Sequence, residues 1–449
     1  MKLTIKKLCD ICHGEIINLD DDTLTCSSFS KDTRTINPGD VYIGIKGENF
    51  DGNLLYNDAF NKGAICSIIE KASYDNKCTN KPIILVDNAI ETLKFIGEYY
   101  RNNSNATFIA VTGSVGKTST RDMIYSVVST KYKSLKTEGN YNNNIGLPLT
   151  LTRLTDEKCA VIEMGMNNLG EIDYLTKITK PHIAVITNVT TAHIGNLGSR
   201  ENILKAKLEI VNGLLDNGKL IINNDNDLLH KYYLDNKDNI FTIGIDNNSD
   251  VMAKNIRIEN NKYYFDISYQ NNIYHAEIPI LSVAFIYNSL IAFAVGILTN
   301  IEPEKILEGI KNFKLTENRI DIIDSTKGYK IINGCYNANV DSMKSSLEIL
   351  VNTPGSRKIA VLGDMLELNE YSTKLHEEVG TYTSKVDILV TVGTEAKNIA
   401  KTSKAKDIIS FDNNDDAINY LNSTLTSGDV VLIKASNGMK FINIVNAIK

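Results

Sequence analysis

Ile109-Ala-Val-Thr-Gly-Ser-Val-Gly-Lys-Thr118 decides how this chain is read. An apolar strand runs into a glycine turn ending in Gly116-Lys117-Thr118, and residues 119–130, with Met123, Ile124 and Val127 on one face, read as a helix. Strand, turn and helix in that order are the context that a phosphate-binding loop needs. Backbone N–H groups of the turn and the positive end of the helix dipole face an anion, Lys117 adds a point charge, and Thr118 offers a hydroxyl to Mg²⁺. Thr112, Gly113, Ser114, Gly116, Lys117, Thr118 and Ser119 are therefore the candidate contacts to ATP. The longer form of this loop would have glycine at position 111, where this chain has Val111. The shorter Thr-Gly-x-x-Gly-Lys-Thr form narrows the candidate families.

Outward from the loop, strands and helices alternate from 107 to 316. Segments 159–163, 182–187 and 219–223 are strand-like and 168–176 and 200–212 helix-like, which predicts a parallel, doubly wound sheet. Residues 255–258 and 263–269 read instead as strands around the turn Glu259-Asn-Asn-Lys262, an antiparallel excursion at the edge of that sheet. Residues 278–298 carry no charge but include Pro279, Ser282, Asn288 and Ser289; a buried core helix is expected there rather than a membrane span.

The N-terminal part mixes an opening helix at 5–13, strands at 24–30, 40–45, 64–70 and 83–86, and a helix at 55–62. A helix at 89–101 and the polar Asn102-Asn-Ser-Asn105 then lead into the loop strand. A second alternating unit has strands at 329–333, 358–362, 388–392 and 430–434, with helices at 341–351, 372–383 and 416–425. The expected class is thus α/β in three modules: a small mixed one (1–87), a central ATP-binding one with a parallel sheet (88–317) and a Rossmann-like one (318–449).

At 449 residues the chain exceeds a single core, and 43% hydrophobic with 23% charged residues is an ordinary globular balance. A net charge of −6 argues against a nucleic-acid partner. The N-terminus shows no basic start, apolar run and small-residue cleavage site, so no export signal is read, and seven scattered cysteines fit a cytoplasmic protein with free thiols. Cys9-Asp-Ile-Cys12-His13 matches a haem-attachment string formally; inside an opening helix, with no export signal, it is read as chance.

Other polar clusters raise the specificity. Thr137, Asn140 and the amides Asn142, Asn143 and Asn144 precede Ile145-Gly-Leu-Pro148 and suit contacts to a nucleotide or polar substrate, or an ordinary loop. Glu163 ends the apolar strand Cys159-Ala-Val-Ile162, where a carboxylate at the C-terminal edge of a parallel sheet could hold Mg²⁺. His193 follows another strand end. Lys207, in Lys205-Ala-Lys207-Leu-Glu209, reads on its own as a solvated helix charge.

At these residues the chain resembles the Mur ligases of peptidoglycan synthesis, which have relatives among the folylpolyglutamate synthetases. It is most similar to the members that add D-alanyl-D-alanine to UDP-N-acetylmuramoyl-tripeptide. Lys31-Asp-Thr-Arg34, Gly39-Asp40 and Lys46-Gly-Glu-Asn-Phe-Asp-Gly52 look like their UDP-sugar module. The middle matches through the loop, Asn142 to Pro148, Glu163-Met-Gly165, Gly170-Glu171, His193 and Ala206-Lys207-Leu-Glu209. The C-terminal third matches through Tyr336-Asn-Ala-Asn339, Asp341-Ser-Met343, Leu362-Gly-Asp-Met-Leu-Glu-Leu368, His376 and Lys434-Ala-Ser-Asn437.

The resemblance implies the three-domain Mur ligase architecture and an ADP-forming ligase that works through an acyl phosphate, as a cytoplasmic monomer with small-molecule substrates. It implies Lys117, Glu163, His193 and Lys207 as catalytic residues. Mg²⁺ would be held by Thr118, Glu163, His193 and a carbamylated Lys207. Asn288, Arg319 and Asn337 would contact the nucleotide. Thr33, Arg34, Lys46, Gly47, Asp51, Asn142, Asn143, Asn144, Asn339, Lys434, Ser436 and Asn437 would contact substrates. Three positions depart from the family pattern. Val115 and Phe285 (beside Ala284) replace asparagines, and Gly334 replaces an aspartate, which is expected to thin the nucleotide pocket. A divergent relative with altered dipeptide preference or weak ligation, acting as a binding protein, is the second reading.

Overall fold

The computed structural model describes residues 3–75, 80–315 and 321–449. Three sheets organise them. The first has five strands in the order Glu15–Ile17, Ile83–Val86, Cys66–Glu70, Val41–Ile43, Phe29–Ser30. All but the Glu15–Ile17 pairing are parallel. Leu3–Thr4 pairs separately with Thr25–Cys26. Cys9 and Cys12 are buried in the helix Ile5–Cys12 and His13 meets the edge of Phe95, so the haem-like string is a core helix.

The central sheet has nine strands: Asn272–Ile278, Lys262–Tyr269, Val251–Glu259, Ile240–Gly244, Lys219–Asn223, Ile183–Ile186, Thr107–Thr112, Cys159–Glu163 and Ser134–Lys136. The loop strand Thr107–Thr112 lies between Ile183–Ile186 and Cys159–Glu163, both parallel to it. Chain order reverses around it, so a crevice opens at its C-terminal end, where α/β sheets receive ligands. The antiparallel excursion is present but larger than expected. Val251–Glu259 and Lys262–Tyr269 are joined by a third strand, Asn272–Ile278, whose polar, half-exposed residues carry little apolar alternation.

The helix Val283–Leu298 is buried along most of its length in this module, and no described helix is long and apolar enough to cross a membrane. The helix expected at 200–212 runs as Arg200–Leu208 and tightens to a 3₁₀ turn at Glu209–Gly213. There the Glu209 carboxylate accepts from the N–H groups of Gly170 (2.7 Å) and Asp173 (3.2 Å) at the start of the helix Glu171–Thr179. A carboxylate at a helix N-terminus satisfies donors that the helix itself leaves open.

The third sheet orders Asp321–Asp324, Lys330–Asn333, Val430–Lys434, Lys358–Gly363, Ile388–Val392 and Asp407–Phe411, parallel except for its first strand. Its helix Val340–Asn352 docks on the central module through Glu348. That carboxylate accepts from Ser282 Oγ (2.8 Å), Val283 N (3.1 Å) and Tyr263 OH (3.2 Å), capping the helix Val283–Leu298. A second contact joins the same two modules. Asn369 Nδ2 donates to Gly195 O at 3.0 Å and Tyr371 OH to Gly198 O at 2.8 Å, which lays the loop after Gly363 against the His193 segment.

Candidate functional site

The phosphate loop is held open by the segment that follows Ile183–Ile186. Thr187 Oγ1 and Asn188 Nδ2 donate to Val115 O (2.7 and 3.2 Å), and Asn188 Oδ1 accepts from Val115 N (2.9 Å). Ser114 Oγ accepts from Thr190 N at 3.0 Å. The position where Val115 departs from the family is therefore clamped through its backbone, which any side chain permits. Sequence reasoning missed Thr187 and Asn188, whose only signal is that two polar residues follow an apolar strand.

Gly113 has φ +150°, and a Cβ there would lie 1.9 Å from Thr187 Oγ1; Gly116 has φ +81° at the start of the helix Lys117–Val128. Gly113→Ala is expected to destabilise the protein by about 1–3 kcal/mol, read by denaturant unfolding. Thr187→Ala should recover part of that loss, because it removes the clashing oxygen; an equal cost of Gly113→Ala in both backgrounds would refute the clash.

Lys117 Nζ donates to the carbonyls of Gly113 (2.8 Å) and Ser114 (3.3 Å), so its charge lies over the loop. Thr118 is buried, and its Oγ1 has no hydrogen-bond partner. Asn288, also buried, accepts from Thr120 Oγ1 at 2.9 Å, which ties the helix Val283–Leu298 to the loop helix.

Glu163 lies at the end of its strand beside Val111, fully buried. Its Oε1 accepts from Asn142 Nδ2 at 2.8 Å and its Oε2 from Arg121 Nη1 at 3.2 Å.

His193, Lys207 and Lys117 come together. Burial first, then Lys117 and Lys207, pushes the His193 imidazole down to about 4. Burial first, then Lys117, pushes the Lys207 amine well below its ordinary value; Lys207 is 1% exposed, and no ion pair among the described residues involves it. The solvated helix charge read from sequence is thus a buried amine whose surroundings disfavour its charged form. His193 adopts a left-handed backbone, φ 66°, and its Nδ1 has no hydrogen-bond partner, the Glu367 carboxylate standing 4.0 Å away. A neutral imidazole makes no ion pair at that distance.

The depressed histidine has a stability consequence. Below the unfolded value near 6.5 the unfolded chain binds a proton that the folded His193 refuses until about pH 4, so this contribution is full above pH 6.5 and lost as pH falls toward 4. His193→Asn, which tolerates the left-handed backbone, should therefore lose less stability than wild type between pH 7 and pH 5, with a difference of about 2 kcal/mol at pH 5. Denaturant midpoints that fall in parallel would refute it.

These residues fit a magnesium site. Thr118 Oγ1 is an orphaned buried oxygen, Glu163 a buried carboxylate and His193 a neutral base. Among the described residues no three His, Cys, Asp or Glu groups are placed to hold a metal ion by themselves. Mg²⁺ is usually held by one or two protein carboxylates together with substrate phosphates.

The remaining candidates divide by what their side chains touch. Asp51 Oδ1 accepts from Asn53 N, Asn143 Oδ1 from Gly146 N and Asn339 Oδ1 from Ser342 N, each capping a helix or turn. Thr33 and Arg34 form a short turn with Arg34 paired to Asp32, while the backbones of Lys46 and Asp51 pair in an isolated antiparallel bridge and Gly47 N donates to Phe50 O. Asn144 and Asn437 are exposed. Lys434 Nζ donates to the carbonyls of Asn337 (2.8 Å) and Gly334 (3.3 Å), and Ser436 Oγ accepts from Leu366 N. Arg319 lies outside the described residues.

The departures look milder in three dimensions. Phe285 is buried against Phe313, ring centroids 5.9 Å apart, so it packs in the core. At Gly334 a Cβ would meet nothing closer than 3.4 Å, so the position leaves room beside Lys434.

Two family models match the chain: "Mur ligase middle domain" over residues 111–296 and "Mur ligase, glutamate ligase domain" over residues 318–437. It is 35% identical to the UDP-N-acetylmuramoyl-tripeptide--D-alanyl-D-alanine ligase of Bacillus subtilis (strain 168), covering 99% of this chain and 98% of that one. MurF from Acinetobacter baumannii shares the fold with a TM-score of 0.90 at 27% identity, covering 100% of this chain and 99% of that one. The MurF ligase of Thermotoga maritima, solved in complex with ADP, gives 0.82 at 27% identity, covering 94% and 96%.

Proposed function

The chain belongs to the Mur ligase family, and from that premise we propose that it is the ATP-dependent ligase that joins D-alanyl-D-alanine to UDP-N-acetylmuramoyl-tripeptide in peptidoglycan precursor synthesis. One observation carries the chemistry. Lys117 of the phosphate loop, neutral His193 and buried Lys207 lie close enough to shift one another's protonation, and a loop of the third module is latched beside His193 at Gly195 and Gly198. A group activated by ATP and a second substrate held by another module can therefore meet there.

In this reading residues 1–87 hold the UDP-sugar, 88–317 ATP and 318–449 the dipeptide. The terminal carboxylate of the tripeptide attacks the γ-phosphorus of ATP, releasing ADP and forming an acyl phosphate. The free amine of D-alanyl-D-alanine then attacks the acyl carbon, and the tetrahedral intermediate collapses as phosphate leaves and the amine proton is lost. Lys117 and the loop N–H groups offset charge on the transferring phosphoryl group, whose transition state asks chiefly for positioning and electrostatic support. Asn288, fixed by Thr120, would contact the nucleotide. Thr118, Glu163 and His193 would hold Mg²⁺, which would supply further charge neutralisation on the phosphates. The neutral Lys207 amine adds to CO₂ and loses a proton, which turns a would-be cation into a carbamate anion.

Purified protein with ATP, Mg²⁺ and UDP-muramoyl-tripeptide should release phosphate in step with pentapeptide product only when D-alanyl-D-alanine is added. Phosphate release indifferent to the dipeptide, or none at all, would sink the reading.

A further inference from the structure

Arg121 sits one turn into the loop helix, beside Asp122, where an Arg-Asp pair in sequence looks like surface charge. Both are buried, Arg121 completely. The guanidinium is spread between two carboxylates: Nε and Nη2 donate to Asp122 Oδ1 (3.0 and 2.7 Å), and Nη1 to Glu163 Oε2 (3.2 Å) and Gly139 O (3.3 Å). Lys136 Nζ donates to the same Asp122 oxygen at 2.8 Å, so two cations and two carboxylates alternate along one network.

A buried carboxylate is costly unless paired and hydrogen-bonded. Asn142 supplies Glu163 with one neutral hydrogen bond, and Arg121 supplies charge and the second anchor. With each oxygen held by a different group, the carboxylate plane of Glu163 is fixed, and each oxygen keeps lone-pair capacity beyond the bond it accepts. Asp122 and Lys136 in turn fix the guanidinium. A lysine at this position would bring the charge without the rigid planar fork that spans both acids.

We propose that Arg121 is a positioning residue for the metal site, orienting the Glu163 carboxylate through the Asp122–Lys136 network. The inference rests on the reading of Glu163 as a magnesium ligand. Groups that orient a metal ligand typically alter metal affinity by about ten- to hundredfold when removed.

The test is calorimetric binding of ADP to the full chain, with magnesium chloride or with EDTA. Arg121→Met should cut the magnesium-dependent gain in ADP affinity by about tenfold or more, while ADP binding in EDTA stays within about twofold of wild type. A purely structural role would weaken both equally. If Arg121→Met does not fold, Arg121→Lys carries the test, with an expected loss of the magnesium-dependent gain of about threefold or more. Glu163→Gln separates the two readings. If Glu163→Gln loses the gain and the Arg121 variants keep it, or bind ADP with magnesium more tightly, the positioning role is overturned and the metal reading stands. If Glu163→Gln keeps the full gain, the assignment of Glu163 is overturned and the inference with it.

Discussion

Lys207→Ala is expected to lower turnover by about a thousandfold or more, because it removes both a buried amine and the anion proposed to form on it. The structural reason is that Lys207 is buried beside Lys117 and His193, in surroundings that disfavour its own charge. A neutral amine is nucleophilic toward CO₂, and the resulting carbamate reverses the sign of the group beside two bases. Two readouts separate this from a lysine that acts as a lysine. Protein equilibrated with ¹³C-labelled CO₂ should show a carbamate carbon resonance that is absent in Lys207→Ala, and added short carboxylic acids should restore part of that variant's activity. Turnover in Lys207→Ala within about twofold of wild type would remove the carbamate from the mechanism.

How far the sequence carries this site can be judged residue by residue. The loop was legible because its glycines answer to backbone geometry: Gly113 tolerates no Cβ and Gly116 is left-handed. Glu163 was legible because an acidic residue ending an apolar strand has one place to go. Lys207 was not legible from its own pattern, since burial of one helix face by the crevice is a tertiary fact; only resemblance singled it out. Asn143, Asn339 and Asp51 show the opposite limit. A short polar side chain in a loop before a helix serves equally as a cap or as a ligand contact, and here each caps. Arg121 escaped notice because nothing local distinguishes a charge facing solvent from one facing Glu163 across the sheet edge. Strands at the sheet's antiparallel end, such as Asn272–Ile278, were missed because exposure of one face leaves no apolar run to read.

Lys117→Ala should cost about 10²–10³-fold in kcat/KM, the range found when a single donor to developing phosphate or oxyanion charge is removed. The loop itself should survive the loss of the ammonium's bonds to the Gly113 and Ser114 carbonyls, since its shape rests on the backbone conformations of Gly113 and Gly116 and on the Thr187–Asn188 clamp. Nucleotide binding should therefore weaken by less than turnover falls. The charge also acts sideways. Lys117 is among the causes that hold both His193 and Lys207 below their ordinary values, so its loss should let both rise. For His193 the sign is definite: its imidazole should titrate above about 4, toward 6.5, because one repelling cation is gone while burial persists. NMR titration of the metal-free protein reads this independently of catalysis. A Lys117→Ala protein in which His193 titrates as in wild type would show that the ammonium does not reach the site, and the assignment of its charge to the transferring phosphate would fail with it.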